Sequence, residues 1–412
     1  MADSLNFRRD QWNMLFITMF CYLFFYTGRH NFGWAAKEMA EELEISYALI
    51  GWISSAMLIG YAIGQFVNGN LADRFSPRIM ISLGAILSVL ANFAISFSTT
   101  YIYILVLWAL NGYFQSMAWA PGSRLISNWW HREERGKAFG LYTMAAGSSS
   151  VVTFLVSILI LQNRVAWPYL FRIPVLFLLF AAVLFFFIAR SKPSDKGYPD
   201  LYPEKQRQSQ ESWAAMYLQV LKNRNFVVAS FSLGFESMAR YGLIVWVPLH
   251  FLGNSNGNTD NLWGSILLPI GMALGALSFG MISDCLFKGN KHRSIFTGMS
   301  FAAIIMMGIY WTPPENWVAG SVLMFLAGFF VYGPQANFWP LGPELLGEKY
   351  VGTGVGVMNA CAYLFAALGE PILGKIIDIT NSSISVFLAL AVICQLSAGM
   401  ILLARAKHRV TI

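Results

Sequence analysis

SFSLGFESMARYGLIVWVP, residues 230–248, is apolar enough to cross a bilayer, yet it carries Glu236 and Arg240. Four residues apart on a helix, the two side chains share one face. An ionised side chain at the bilayer centre costs roughly 2.5–3.5 kcal/mol on insertion scales, so such residues face a polar interior and mark a pathway or a site. A second apolar stretch, FFYTGRHNF at 24–32, carries Arg29 in the same way. These two stretches predict a membrane bundle with a polar interior and a site between two arginines.

The rest of the chain agrees. Of 412 residues, 56% are hydrophobic and 12% charged, where a soluble protein carries roughly 25% charged residues. The net charge of +7 is spread between apolar runs instead of clustering on one soluble face, which excludes a nucleic-acid partner. Cys21, Cys285, Cys361 and Cys394 lie in or beside apolar segments without metal-ligand spacing, so they read as core residues, and neither a metal nor a cofactor is expected. The first apolar run is bulky throughout and has no small-residue cleavage site, so no cleavable signal peptide is expected.

Runs long enough to span occur near 13–33, 48–71, 79–98, 101–125, 138–162 and 167–189, and again near 226–252, 261–286, 294–312, 317–341, 351–377 and 383–404. We number them spans 1 to 12. The expected organisation is an N-terminal six-helix bundle (1–189), a linker (190–225) that tethers the halves and lets them rock, and a C-terminal six-helix bundle (226–412). Lysine and arginine collect at one set of loops: Arg8 and Arg9, Arg74 and Arg78, Arg132, Arg135 and Lys137, the linker, Lys288, Lys291 and Arg293, and Arg405, Lys407 and Arg409. The opposite loops hold little beyond Lys37 and Arg164. By the positive-inside rule both termini are cytoplasmic, in a multi-pass protein of the plasma (inner) membrane. With two halves in each chain, a monomer suffices.

The halves repeat. Gly69-Asn-Leu-Ala-Asp73 matches Gly280-Met-Ile-Ser-Asp284 at an offset of 211 residues, the same offset that separates Arg29 from Arg240. Leu110-Asn-Gly112 matches Leu326-Ala-Gly328, and Gly136 and Gly140 match Gly352 and Gly356, at an offset of 216. Repeated halves place a substrate site near the midplane, at the interface of the repeats.

Gly69 through Arg78 fills the Gly-x-Leu-Ala-Asp-Arg-x-x-x-Arg pattern of the loop between spans 2 and 3, in which the chain resembles the major facilitator superfamily. Asn111-Gly-Tyr-Phe-Gln115-Ser-Met-Ala-Trp119-Ala-Pro121-Gly-Ser-Arg124, with Trp129-Trp130 and Glu134-Arg135-Gly136, resembles the span 4–5 signature of the organophosphate:phosphate antiporters, the glycerol-phosphate and hexose-phosphate transporters. Tyr26-x-x-Arg29-x-Asn31-Phe32 and Arg240-Tyr241-Gly242 resemble that family's motifs in spans 1 and 7. The resemblance implies the all-α major facilitator fold, twelve transmembrane helices in two pseudo-symmetric six-helix bundles, and a phosphate clamped by Arg29 and Arg240. There are departures. Gln65 stands where the family often has a lysine, Ala146 where it has a histidine, and Glu236 is an addition.

Two guanidinium groups suit a phosphate or carboxylate without any family precedent, because each is always charged and offers paired donors. An anion bridging them supplies the differential affinity that a ligand-driven closure requires. The alternative is that Glu236 neutralises Arg240 while Arg29 snorkels outward. Around the arginines the expected substrate-binding residues are Tyr22, Tyr26, Gln65, Gln115, Trp119, Asn359 and Tyr363, although each alone is more often an ordinary helix-packing residue than a ligand. The expected coupling and gating residues are Glu236, Glu370, Asp73, Arg74, Arg78, Arg124 and Asp284, with Asp73 as a latch at a helix end. Gly369 to Lys375 mimics a phosphate loop, but Ile376 takes the place of the Ser/Thr that meets magnesium. No nucleophile–base motif suggests an enzyme. The sequence therefore predicts a secondary transporter of a small organic anion, exchanging an organophosphate for inorganic phosphate. One alternative couples a proton through Glu236 and Glu370 to a carboxylate-bearing or zwitterionic solute, such as a polycarboxylate siderophore. Another is a transporter-like membrane receptor.

Overall fold

A segment in a bilayer must satisfy its own backbone polar groups, and a helix does this without a partner. All twelve apolar runs fall on helix in the computed structural model, which describes residues 2–72, 74–201, 213–253, 260–313, 316–346 and 351–404. No strand occurs among the described residues. Among the described residues, eight helical stretches are long and apolar enough to cross a membrane by length and composition: those of spans 2, 3, 6 and 8 to 12. The four that fall short are spans 1, 4, 5 and 7. They carry Arg29, the Gln115–Trp119 segment, the serine run 148–150, and Glu236 with Arg240.

The chain divides into two compact units, Met1–Glu44 with Ala56–Arg207, and Ile45–Ser55 with Gln208–Ile412. The division at 207/208 falls inside the expected linker, and the first part of span 2 groups with the second unit. In the first unit spans 2 and 4 cross at glycines. A Cβ on Gly60 would sit 2.0 Å from the Ala109 carbonyl oxygen, and one on Gly112 would sit 2.0 Å from that of Met57. In the second unit spans 8 and 10 repeat this crossing, with Gly271 against the Phe325 carbonyl at 2.0 Å and Gly328 against Leu268 at 2.1 Å. Only a residue without a Cβ lets two helix backbones approach so closely.

Spans 4 and 10 are also broken alike. Span 4 is Tyr101–Gln115 followed by Trp119–Trp129, and span 10 is Trp317–Tyr332 followed by Gln335–Leu346. Proline accounts for both interruptions. Pro121 lies in the first turn of its segment and Pro334 just before the next, positions where a missing N–H is tolerated.

The first part of the linker is docked on the first unit. The Asp10 carboxylate accepts from Lys196 Nζ at 2.8 Å and from the Tyr198 hydroxyl at 3.1 Å. Trp129 donates its indole N–H to the Arg190 carbonyl at 2.8 Å, and Asn128 donates to that of Ser191 at 2.9 Å. Beside this clasp Arg8 forms a two-pronged ion pair with Glu134, Nη2 to Oε1 at 2.8 Å. Burial alone would raise the Asp10 carboxyl, but the hydrogen bonds and charges of Lys196, Tyr198 and Arg9 hold it below its ordinary range. The surface helix expected over 210–221 is described as Trp213–Lys222.

In the second unit the start of span 2 is stitched to span 11. The Tyr47 and Ala48 backbone N–H groups each donate to an Asp378 carboxylate oxygen at 2.9 Å, an anion on the electropositive end of a helix. Gly374 and Gly51 permit close backbone contact, with Cβ positions 2.2 Å from the Tyr47 carbonyl oxygen and 2.4 Å from that of Glu370. The Ser55 hydroxyl closes the seam on the Ala367 carbonyl.

Candidate functional site

Span 1 is a discontinuous helix. Ala2–Phe25 ends in a 3-10 turn, Tyr26–Gly28, and helix resumes at Phe32–Glu42. The Arg29 N–H bonds back to the Tyr26 carbonyl at 3.0 Å, three residues away instead of four. Arg29 therefore emerges from the break. It is 5% exposed, and its guanidinium carbon lies 4.4 Å from the Tyr61 ring centroid and 5.4 Å from that of Tyr26. Such cation–π contacts are worth about 0.5–2 kcal/mol each, the upper figure applying when desolvated.

An aromatic wall continues from Tyr26. Tyr22 is 5.8 Å from Tyr26 and 5.6 Å from Trp119, and Trp119 stacks on Tyr142 at 4.9 Å. His30 packs edge-on to Tyr26 at 4.8 Å, and its Nδ1 is 2.8 Å from the Ser150 hydroxyl of span 5. Gln65 is half-buried one turn beyond Tyr61 in span 2. The structure thus brings Tyr22, Tyr26, Arg29 and Trp119 together in the first unit and adds Tyr61, Tyr142 and His30, which the sequence reading passed over.

Gln115 is committed elsewhere. It is 3% exposed and donates to the Phe25 carbonyl at 2.9 Å and the Ser88 hydroxyl at 2.8 Å. Asn111, one turn earlier, donates to the Gly28 carbonyl at 2.8 Å. Asn111 and Gln115 thus both serve backbone carbonyls at the break in span 1.

In the second unit Arg240 is partly buried on Arg224–Gly253, with its guanidinium carbon 4.5 Å from the Tyr241 centroid and 5.1 Å from that of Tyr332. Tyr363 joins them, 5.9 Å from Tyr241, and Asn359 is half-buried one turn before it on span 11. Arg240 Nε has no hydrogen-bond partner. Glu236 is fully buried; its Oε2 accepts from the Ser237 hydroxyl at 3.0 Å, while Oε1 has no partner. Although they share a face, Glu236 and Arg240 form no ion pair with each other among the described residues; they still act on each other electrostatically across the longer separation. Glu370 is 1% exposed beside the Trp246 indole, and neither of its oxygens has a hydrogen bond of regular geometry.

Of the gating set, Asp73 lies outside the described residues. Arg124 donates to the Ala72 carbonyl at the end of span 2 and to that of Phe75 at 3.4 Å. Arg78 lies 4.5 Å over the Phe186 ring, and Arg74 and Asp284 are exposed. No cluster of His, Cys, Asp and Glu able to hold a metal occurs among the described residues.

The chain is similar over most of its length to two transport proteins and a membrane sensor protein. It is 27% identical to the phosphoglycerate transporter protein of Salmonella typhimurium, covering 87% of this chain and 81% of that protein. It is 26% identical to the glycerol-3-phosphate transporter of Bacillus subtilis, covering 89% and 86%. It is also 26% identical to the membrane sensor protein UhpC of Escherichia coli, covering 92% and 89%. Among solved structures it resembles a bacterial homolog to the human lysosomal transporter Spinster, in an inward-facing and unoccupied conformation. There the TM-score is 0.78 at 15% identity, over 96% of this chain and 95% of that one. The model of the Major Facilitator Superfamily matches residues 18–370, and the chain belongs to that superfamily of membrane transporters.

Proposed function

We propose that the protein is a secondary transporter of small phosphate esters, exchanging them for inorganic phosphate by alternating access. Arg29 and Arg240 take the anionic group, one from each unit. The observation that carries this reading is the pair itself: two arginines at one repeat offset, each against two tyrosine rings. Ring faces hold a guanidinium in place and leave its charge for an anion. The relatives named for phosphoglycerate and glycerol-3-phosphate support the choice of solute. On this reading Tyr22, Tyr26, Gln65 and Trp119 on one side, and Asn359 and Tyr363 on the other, contact the remainder of the solute. Lysine and arginine placement supports cytoplasmic termini in a plasma (inner) membrane, and a monomer is sufficient.

The test is uptake of labelled glycerol-3-phosphate into proteoliposomes, with and without internal phosphate. Internal phosphate should accelerate uptake and a protonophore should leave it unchanged. Arg29→Ala and Arg240→Ala should each abolish phosphate binding; binding retained in both would move the site elsewhere.

Glu236 and Glu370 motivate a second reading, proton-coupled movement of a carboxylate-bearing or zwitterionic solute. Both carboxylates are buried without an ion pair among the described residues. Flux that follows the pH gradient in the wild type and loses that dependence in Glu236→Gln would favour it. The similarity to a membrane sensor protein motivates a third, a receptor that binds the solute without carrying it. Phosphate binding with no measurable flux in proteoliposomes would favour that reading.

A further inference from the structure

Gly28 and Phe25 carry the carbonyls that a continuous span 1 would use internally. Both accept from span 4. Gln115 Nε2 donates to the Phe25 carbonyl and to Ser88 Oγ, at 2.9 and 2.8 Å. Ser88 Oγ donates to Asn111 Oδ1 at 2.6 Å, and Asn111 Nδ2 donates to the Gly28 carbonyl at 2.8 Å. Asn92 Nδ2 reaches the same carbonyl at 3.2 Å, while its Oδ1 accepts from Asn31 Nδ2 at 3.1 Å. Asn31 is tied in turn to the Leu170 carbonyl at 2.9 Å. Asn31, Ser88, Asn92 and Asn111 are fully buried, and Gln115 nearly so.

The donor directions along Gln115, Ser88 and Asn111 follow from the two ends of that chain of hydrogen bonds. Its two ends are carbonyl oxygens, which only accept, so Gln115 and Asn111 must present their NH2 groups there. Ser88, already accepting from Gln115, has Asn111 Oδ1 for its own proton. Both Gln115 amide protons are thereby used, leaving none for a solute. The network holds Gly28 on one side of Arg29 and Asn31 on the other. Gly28 itself leaves no room for slippage: a Cβ there would meet Asn92 Nδ2 at 3.1 Å and Ser88 Oγ at 3.2 Å.

We propose that Ser88, Asn92, Asn111 and Gln115 are positioning residues: a buried hydrogen-bonded ladder that fixes the break in span 1 and so aims Arg29. Gln115 acts through Arg29 instead of contacting the solute. This deepens the anion-binding reading, and its first test is independent of that reading.

The first test replaces the four native cysteines and labels Arg29→Cys in membrane vesicles with a charged methanethiosulfonate reagent. Asn111→Asp keeps the shape but sets a carboxylate against the Gly28 carbonyl; Ser88→Ala removes one hydroxyl and tests the ladder even if the first variant fails to fold. We expect the labelling rate to change by about fivefold with Asn111→Asp and about twofold with Ser88→Ala, the cost of a lost buried hydrogen bond. An exposed control, Ser46→Cys, should be unaffected. Parental labelling rates at position 29 in a folded variant overturn the proposal.

The second test keeps Arg29 and measures exchange of inorganic phosphate. Half-saturation should rise about tenfold in Asn111→Asp with a maximal rate within about twofold of wild type, and the rise should shrink to under about twofold in an Arg29→Lys background. An equal rise in both backgrounds would mean that the ladder does not act through Arg29. If the wild type does not bind phosphate at all, the functional reading fails while the labelling result still decides this one.

Discussion

Arg240 sits against the rings of Tyr241 and Tyr332, with Glu236 on the same face but not paired with it. A ring contributes about 0.5–2 kcal/mol and does not neutralise the charge. It follows that Tyr332→Phe should retain phosphate affinity, while Tyr332→Leu should weaken it by roughly three- to thirtyfold, as read by titration calorimetry. On the anion-binding reading an ionised Glu236 would repel the solute, so Glu236→Gln should tighten phosphate binding by roughly three- to tenfold through removal of like-charge repulsion. Weaker binding in that variant would show that Glu236 organises Arg240 instead of competing with the solute. The two arginines were legible in the sequence because a charge in an apolar span is conspicuous. Of their ring neighbours, Tyr26 and Tyr241 were named with them, while Tyr61 and Tyr332 were not. Tyr61 and Tyr332 come from other spans, and in a chain that is 16% aromatic no single ring stands out. Gln115 was conspicuous for the same reason, an amide in a membrane span, but the Phe25 carbonyl and Ser88 hydroxyl that engage its NH2 were not legible.

Among the elements, spans 1, 4 and 10 are interrupted, and the sequence announces only two of them. Pro121 and Pro334 mark spans 4 and 10, whereas the break in span 1 contains no proline and depends on side chains contributed by spans 3 and 4. Long-range hydrogen bonds of this kind leave no local pattern to read. The glycine crossings are simpler. Gly271→Val should cost roughly 1–3 kcal/mol or more through overpacking, lowering the thermal midpoint in detergent, and Gly60→Val should do the same in the other unit. The docked linker gives a separate expectation. Asp10 is held below its ordinary range, so the stability it contributes is present above the usual carboxylate pKa and is lost as pH falls through the depressed value. At neutral pH, Asp10→Asn should therefore speed tryptic cleavage after Lys196 severalfold, roughly as expected for a lost charge-assisted hydrogen bond. Unchanged cleavage would assign the docking to Trp129 and Asn128 alone.

For the whole molecule, offsets of 211 and 216 residues disclosed a duplicated architecture before any coordinates, and the same register reappears in the paired crossings of Gly60 with Gly112 and Gly271 with Gly328. What the repeat did not disclose is that the boundary between units is not a single cut in the chain. Residues 45–55 group with the second unit, held by Asp378, Gly374 and the Ala367 carbonyl. A chain divided at 207/208 would thus give one fragment holding the bare helix end at Tyr47 and another holding the unanswered Asp378. The consequence is mutual dependence in biogenesis: neither fragment is complete alone, and each carries the other's missing piece. Fragments 1–207 and 208–412 should be degraded when expressed singly and recovered together, as one co-purifying pair, when co-expressed. Asp378→Ala should weaken that recovery. Independent accumulation of either fragment at full-length levels would show that the stitch is dispensable for assembly.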